Sequence, residues 1–341
     1  MNVENIVPMR LPPSPRPRSS EPHVTVLRDE TVGSLAPKAG GVYVDATLGA
    51  GGHAEAILRV EETQVIGIDR DPTALGLARA RLAPFGNRVT LVQGRFGAVG
   101  ELLADIGITT VDGLMADVGV SSMQLDDPAR GMSFRAEGPL DMRMDPTSGE
   151  TVLDLIDRLD DDELADVIFR FGEERRSRRV ARCIKQARAA GELGTTLDLR
   201  RAVVRAVGPA RIGGVDPATR TFQAFRIAVN RELDELEQLL AAAPQVVAPG
   251  GVVAIIAFHS LEDRLVKRAL RDRSTWRPIT KKPVTATDEE IADNPRSRSA
   301  KLRAATRLSL EMLAGGEGRY VRRDRDGVDD ADEVEEEDGE A

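Results

Sequence analysis

Residues 42–72 read VYVDATLGAGGHAEAILRVEETQVIGIDRDP, and a fold class follows from the order of signals in them. Val42 to Ala46 is an apolar run of strand length, a glycine-rich turn follows, and Ala54 to Val60 is a helical stretch. Val65 to Ile68 is a second apolar run closed by Asp69, and Pro72 then starts a helix whose Ala74, Leu77, Ala78 and Leu82 form an apolar face. Strand, loop, helix and strand in this order make a parallel βαβ unit, because parallel neighbours need a crossover. Further out, Val89 to Val92 and Val111 to Val118 read as a third and fourth strand, so a doubly wound α/β sheet is expected.

From about Pro139 to Gly214 the alternation stops. Apolar residues recur there at helical spacing (Val152, Leu155, Ile156 and Leu159, then Leu164, Val167, Ile168 and Phe171), with no strand pattern of comparable strength. The sheet pattern returns with one long amphipathic helix over about Thr221 to Ala242, a Pro249-Gly250-Gly251 break and a buried strand from Val252 to Phe258. A helix around Leu261 to Leu270 and a last strand near Leu302 to Leu308 complete the pattern. The expected organisation is a Pro/Arg-rich, disordered extension over 1–22 and a core over 23–138 and 215–310. A helical insertion over 139–214 interrupts that core, and a disordered acidic tail occupies 311–341.

Composition bounds the function. Cys183 is the only cysteine, and the three histidines, His23, His53 and His259, are far apart, so neither a disulfide nor a metal site is expected. The longest apolar run, Val252 to Phe258, is far shorter than the roughly 20 residues of a membrane span, and no signal peptide is evident. A cytoplasmic protein is expected. The net charge of −9 is concentrated in Asp324 to Ala341, which holds eleven acids against one base; the rest of the chain carries 46 bases and 45 acids. Within that remainder the bases cluster: eight with two acids over 170–188, eight with one over 264–282, and five with none over 296–307. Clustering of this kind suits phosphate and hence nucleic acid.

The glycine loop, Asp45 to Ala54, lets the backbone approach a ligand closely, and the helix behind it offers free N–H groups. Asp69, ending the next strand, can accept hydrogen bonds from two ribose hydroxyls, so an adenosine-containing cofactor is the economical reading. Gly49, Gly51 and Ala54, with an acid about 20 residues on, also satisfy the dinucleotide pattern, which leaves a nicotinamide cofactor open at this point. A nucleoside triphosphate fits less well, since no Lys-Ser or Lys-Thr follows the loop.

The fourth strand runs into DVGVSSMQLD over 117–126, placing Asp117 and Gln124 where an open α/β sheet binds its ligand. Together with Asp45 to His53, IDRDP (68–72), GPLDMRMD (138–145), FGEER (171–175), PATRTFQAFR (217–226), FHSLEDR (258–264) and NPRSRS (294–299), this stretch closely resembles the bacterial 16S ribosomal RNA (cytosine-N4)-methyltransferases. The resemblance spans about His23 to Leu310. It implies a class I, Rossmann-like methyltransferase sheet with an inserted helical domain, and S-adenosylmethionine as cofactor. It further implies that Gly51, Gly52, His53, Asp69, Phe96, Asp117 and Gln124 contact that cofactor. Met123 departs from the family, where proline is frequent, and leaves Gln124 in place.

The implied reaction is methylation of the N4 amine of a cytidine in the decoding region of small-subunit ribosomal RNA; the modest overall basicity points to an assembled subunit as the partner, with free RNA left open. Asp117 is then a candidate for orienting the amine as well as for holding the cofactor's ammonium. Ser121 and Ser122, lacking an evident activating base, are candidate substrate hydrogen-bonders, and His259 a candidate substrate contact. Methylation at ring carbon C5 instead needs a cysteine nucleophile, and Cys183 lies in an arginine-rich helical stretch far in sequence from every strand end. Arg175, Arg176, Arg178, Arg179 and Arg182 in that stretch are the natural clamp on phosphates flanking an extruded base. Another RNA or DNA amine and a nicotinamide-dependent oxidation are the competing readings, although the Pro-Pro-aromatic loop of DNA amine methyltransferases is absent. Homodimerisation is left open.

Overall fold

The structure, a computed structural model, describes residues 25–209 and 215–309. The 1–22 extension and the 311–341 tail lie outside the described residues. Strands β1 (Val42–Asp45), β2 (Gln64–Asp69), β3 (Val89–Gln93), β4 (Val111–Asp117), β5 (Val247–Ala257), β6 (Trp276–Pro278) and β7 (Lys301–Arg307) form one sheet in the order β3-β2-β1-β4-β5-β7-β6. The first five run parallel, β7 is antiparallel to β5, and β6 is antiparallel to β7. This is the doubly wound α/β class expected. Strand order reverses between β1 and β4, so a crevice opens at their carboxyl ends.

Helix α1 (Arg28–Leu35) precedes the sheet, and α2 (Gly52–Leu58), α3 (Pro72–Leu82) and α4 (Val99–Asp105) are the crossovers. The short α5 (Ser122–Asp126) follows β4. Then come α6 (Val152–Arg158), α7 (Asp161–Gly172), α8 (Ser177–Ala189), α9 (Thr196–Val207) and α10 (Thr219–Asn230). Helix α11 (Glu232–Val246) leads into β5, α12 (Ser260–Ala269) follows it, and α13 (Asp288–Asp293) precedes β7. No helix among the described residues is long and apolar enough to cross a membrane.

The central strands are apolar along most of their length because both of their faces are covered, and two of them end on aspartates, Asp45 and Asp117. Val253 and Ile255 pack with α4, α11 and α12 on one side, while Ala254 and Ile256 pack with α1, α2 and α3 on the other. Full burial of each isoleucine stabilises the fold by about 1.5–3 kcal/mol. A third core, centred on Leu155, Ile168, Ile184 and Val203, holds α6 to α9 together and includes Phe222 and Phe225 of α10. Its helices begin where the sequence supplies caps: Thr151, Asp160 and Thr195 each accept from the backbone three residues on, and the residue there bonds back.

Two expectations are corrected. The single helix over Thr221 to Ala242 is two helices, α10 and α11, broken at Arg231, whose φ of 53° is left-handed. Asn230 fixes the break: its amide donates to Met142 O (2.7 Å) and Arg226 O (2.9 Å) and accepts from Met144 N–H (2.7 Å), tying the helix end to the 142–144 loop. The strand expected from Val252 begins five residues earlier, at Val247 opposite Val111, and Pro249-Gly250-Gly251 forms a bulge within it rather than a break before it. Gly250 makes the bulge possible with φ at 84°.

Candidate functional site

The crevice is built by three strand ends. β1 ends on Asp45, which is 1% exposed, and the chain turns through Gly49 and Gly51 at positive φ (51° and 82°) into α2. Gly51 caps α2 without a side chain, and a Cβ there would meet Leu82 at 3.2 Å. A Cβ on Gly52 would sit 1.9 Å from Thr25 Oγ1. Across the crevice β4 ends on Asp117, whose N–H donates to Thr47 Oγ1 at 2.6 Å, locking the glycine loop against the β4 terminus.

His53, 5% exposed, brings its Nε2 to 3.7 Å from Asp117 Oδ2. Neither ring nitrogen of His53 has a hydrogen-bond partner, nor do Asp45 Oδ2 and Asp117 Oδ1. Burial pushes the Asp45 carboxyl up to about 6, against the opposing influence of His53. Four orphaned polar atoms in one buried place cost several kcal/mol unless something meets them, so they call for a ligand rich in donors.

Asp69, at the end of β2, accepts from the N–H groups of Gly49 and Asp71, both at 2.8 Å. Burial raises its carboxyl in spite of those two bonds. Asp71 caps α3 through Thr73 N–H and takes Gln124 Nε2 (3.0 Å) and Arg130 Nη1 (2.8 Å) on its other oxygen. Burial alone would raise Asp71, but the bonds from Gln124 and Arg130 hold it below the usual carboxylate range. Phe96 is half-buried in the turn after β3, against the core beneath α4 and α11, and Glu235 of α11 fastens that turn through Gly97 N–H and Arg95.

Gly51, Gly52, His53, Asp69 and Asp117 thus border one crevice, with Gln124 tied to it through Asp71. Of the candidate catalytic residues, Asp117 lies in this crevice, and Ser121, Ser122 and His259 are placed differently. Ser121 caps α5: its Oγ accepts from Gln124 N–H and its own N–H donates to Gln124 Oε1. The half-buried Ser122 side chain has no such commitment. His259 lies three residues beyond Ile256, the neighbour of Asp117 on β5, and its ring turns to its own helix, with Nε2 3.0 Å from Glu262 Oε1.

His259, Glu262 and Glu232 form the one group among the described residues with metal-ligating atoms mutually within 4.8 Å. Arg226 already grips both Glu232 oxygens (2.7 and 2.8 Å), and Glu262 Oε2 accepts two backbone N–H groups. Both carboxylates are thus engaged by Arg226 and the backbone, while the buried His259 Nε2 has no hydrogen-bond partner although Glu262 Oε1 lies 3.0 Å away. Sequence reading passed over Asp45 and Thr47 as site residues, although both lie inside the quoted loop; what marks Asp45 is an orphaned oxygen, visible only in three dimensions.

The crevice chemistry favours one ligand charge. Asp45, Asp69 and Asp117 line it and no lysine or arginine stands in the glycine loop, so the field suits a cation and opposes a pyrophosphate. S-adenosylmethionine fits: it carries an ammonium, a sulfonium and ribose hydroxyls, the donors and charge that the orphaned acceptors lack.

Comparison with known proteins gives a consistent result. A family model described as the MraW methylase family matches residues 20–308. A ribosomal RNA small subunit methyltransferase H from Sorangium cellulosum is 70% identical over 316 residues, covering 92% of this chain and 100% of its own. The protein of the same description from Rhodospirillum centenum is 50% identical over 306 residues, covering 84% and 92%. Among solved structures, a putative rRNA-methylase from Clostridium thermocellum aligns over 80% of this chain and 89% of its own, at 11% identity and a TM-score of 0.39.

Proposed function

The chain belongs to the MraW methylase family, its methyl donor is S-adenosylmethionine, and we propose that it methylates the N4 amine of a cytidine in the decoding region of small-subunit ribosomal RNA. The observation that supports the methyl-transfer part of this reading is the acid-lined crevice between β1 and β4, with its orphaned acceptors on Asp45 and Asp117. When bound, the donor supplies an electrophilic methyl group and its own leaving group, so the protein's task is chiefly positioning.

On this reading each residue of the crevice has a role. Gly51 and Gly52 admit the amino-acid moiety close to the backbone, Asp45 and Asp117 accept from its ammonium, and His53 meets its carboxylate. Asp69 has lone pairs left for the ribose hydroxyls, and Phe96 packs on the adenine. Gln124 spends its carbonyl on Ser121 and one N–H on Asp71, leaving one N–H for the cofactor. At the acceptor, the cytosine N4 lone pair is delocalised into the ring, so hydrogen bonding to the amine is needed to free it. Asp117 is the carboxylate available for that, and the uncommitted hydroxyl of Ser122 follows at the start of α5. His259 acts from a distance, by setting the start of α12.

Three further observations support the acceptor. Cys183 packs into the helical core on α8, away from the strand ends, which removes the nucleophile that C5 methylation requires. Arg175, Arg178, Arg179 and Arg182 are exposed on or just before α8 and engage no acid among the described residues, as a phosphate clamp would require. The relatives' names specify ribosomal RNA of the small subunit.

Nucleoside analysis of small-subunit RNA from cells with the gene deleted and then restored tests the reading. N4-methylcytidine is expected to disappear and return. Its persistence, with loss of a different methylated nucleoside, would refute the assigned atom.

A further inference from the structure

We propose that the exposed surface running from α12 to the sheet edge at β6 is a second phosphate-binding track, holding ribosomal RNA backbone outside the crevice. It rests on the RNA reading above and adds to it a surface that α8 does not supply. Lys267, Arg268, Arg271, Arg273, Arg277 and the Lys281-Lys282 pair are all exposed, and no hydrogen bond or ion pair engages their side chains among the described residues. Lys267 lends only longer-range charge to Asp263, which is already bonded to Arg303 at 2.7 Å. Asp272, the one acid within the run, is spent on the hydroxyls of Ser274 and Thr275 (2.6 and 2.8 Å).

Away from the two basic surfaces, several exposed arginines are matched with acids: Arg59 with Glu55, Arg158 with Glu150, Arg188 with Asp157, Arg231 with Asp234. On α12 such matching reaches Arg264 alone, through Glu173. Arg264 and Arg268 stand one turn apart on the helix, and such like-charged pairs weaken it. Local physics explains part of the pattern, since cations suit a helix C-terminus and, with Pro278, guard a three-residue edge strand. Neither effect calls for two adjoining elements to be cationic with no free acid between them, whereas a polyphosphate backbone does.

The track also adjoins the first basic surface. Glu173, the C-cap of α7 and two residues before Arg175, accepts from Ser260 Oγ at 2.8 Å and faces Arg264 at 3.5 Å. RNA is favoured over an acidic protein because Ile279 is the only large exposed apolar side chain in the run, and a protein interface needs an apolar centre.

Two variant sets, K267Q/R268Q/R271Q and R277Q/K281Q/K282Q, test the track by binding to protein-free small-subunit RNA and to assembled subunits over a salt series. Each set is expected to weaken binding to both by about tenfold and to flatten the log–log salt slope by about 2–3. Thermal midpoint and S-adenosylmethionine affinity should stay at the parent values. Unchanged slope and affinity overturn the track, and a loss confined to assembled subunits reassigns the surface to a ribosomal protein. A parent protein whose RNA binding ignores salt would instead overturn the RNA reading itself.

Discussion

Asp45 is buried to 1% with one oxygen unmet, and burial raises its carboxyl to about 6. The native state therefore keeps a proton that the unfolded chain releases near pH 4, so stability falls as pH rises from about 4 to about 6. Complete ionisation costs on the order of 3 kcal/mol. Asp45→Asn should remove that slope and raise the thermal midpoint at neutral pH, while weakening binding of the cationic donor; calorimetry across pH 4–8 checks both. Affinity of the parent protein for S-adenosylmethionine should drop below about pH 6, as Asp45 regains its proton. Asp117 carries the complementary prediction. Asp117→Ala should lower kcat/KM by on the order of 100-fold or more with the fold intact, and near-parental turnover would remove Asp117 from the site. Asp117 and Asp69 were legible in the sequence because strand ends mark the crevice of an open sheet. The commitments of Ser121 and His259 to helix caps were not, because a cap is defined by backbone direction and sequence spacing does not reveal it.

At the scale of elements, strands and crossover helices with strong periodicity were readable to within a few residues, and the failures have physical causes. Amphipathic spacing continues unbroken through Arg231, so nothing in the pattern signals one left-handed residue; the reason for the break lies in the Asn230 amide and its bonds to the 142–144 loop. Helices α1 and α4 are short and each holds a glycine, which weakens the helical signal, and β6 has three residues. These assignments predict opposite effects at neighbouring positions. Arg231→Gly should be neutral to stabilising by about 0.5–1 kcal/mol, since glycine takes positive φ without strain. Asn230→Ala should cost about 2–4 kcal/mol, leaving Met144 N–H and Met142 C=O buried without partners. Urea denaturation of the pair checks the order, and equal effects would show that the break is not held by Asn230.

Across the whole molecule, side-chain bridges connect the crevice to the helical layer. Arg130 reaches Asp71 with one nitrogen and the carbonyls of Arg143 and Met144 with another, while Arg70 Nη1 donates to Asn230 O at 3.1 Å. The Arg130–Asp71 pair is 13% and 2% exposed, a burial at which removing one partner costs about 3–5 kcal/mol. Arg130→Met should therefore destabilise the protein at pH 7. Asp71 is held below its ordinary range, so the parent loses this contribution as pH falls below about 4, and the two stability curves should converge in acid. Parallel curves would mean that Arg130 acts only through its carbonyl bonds. The sheet and the crevice were legible in the sequence, whereas these bridges were not, because they join residues as far apart as Arg70 and Asn230.

Incubation of the protein with radiolabelled S-adenosylmethionine and small ribosomal subunits lacking the modification, followed by nucleoside analysis, tests the central claim most directly. Label is expected on N4-methylated cytidine alone, and Asp117→Ala should lose it. Label on C5-methylcytidine or on another nucleoside, or none under conditions where the donor binds, would contradict it.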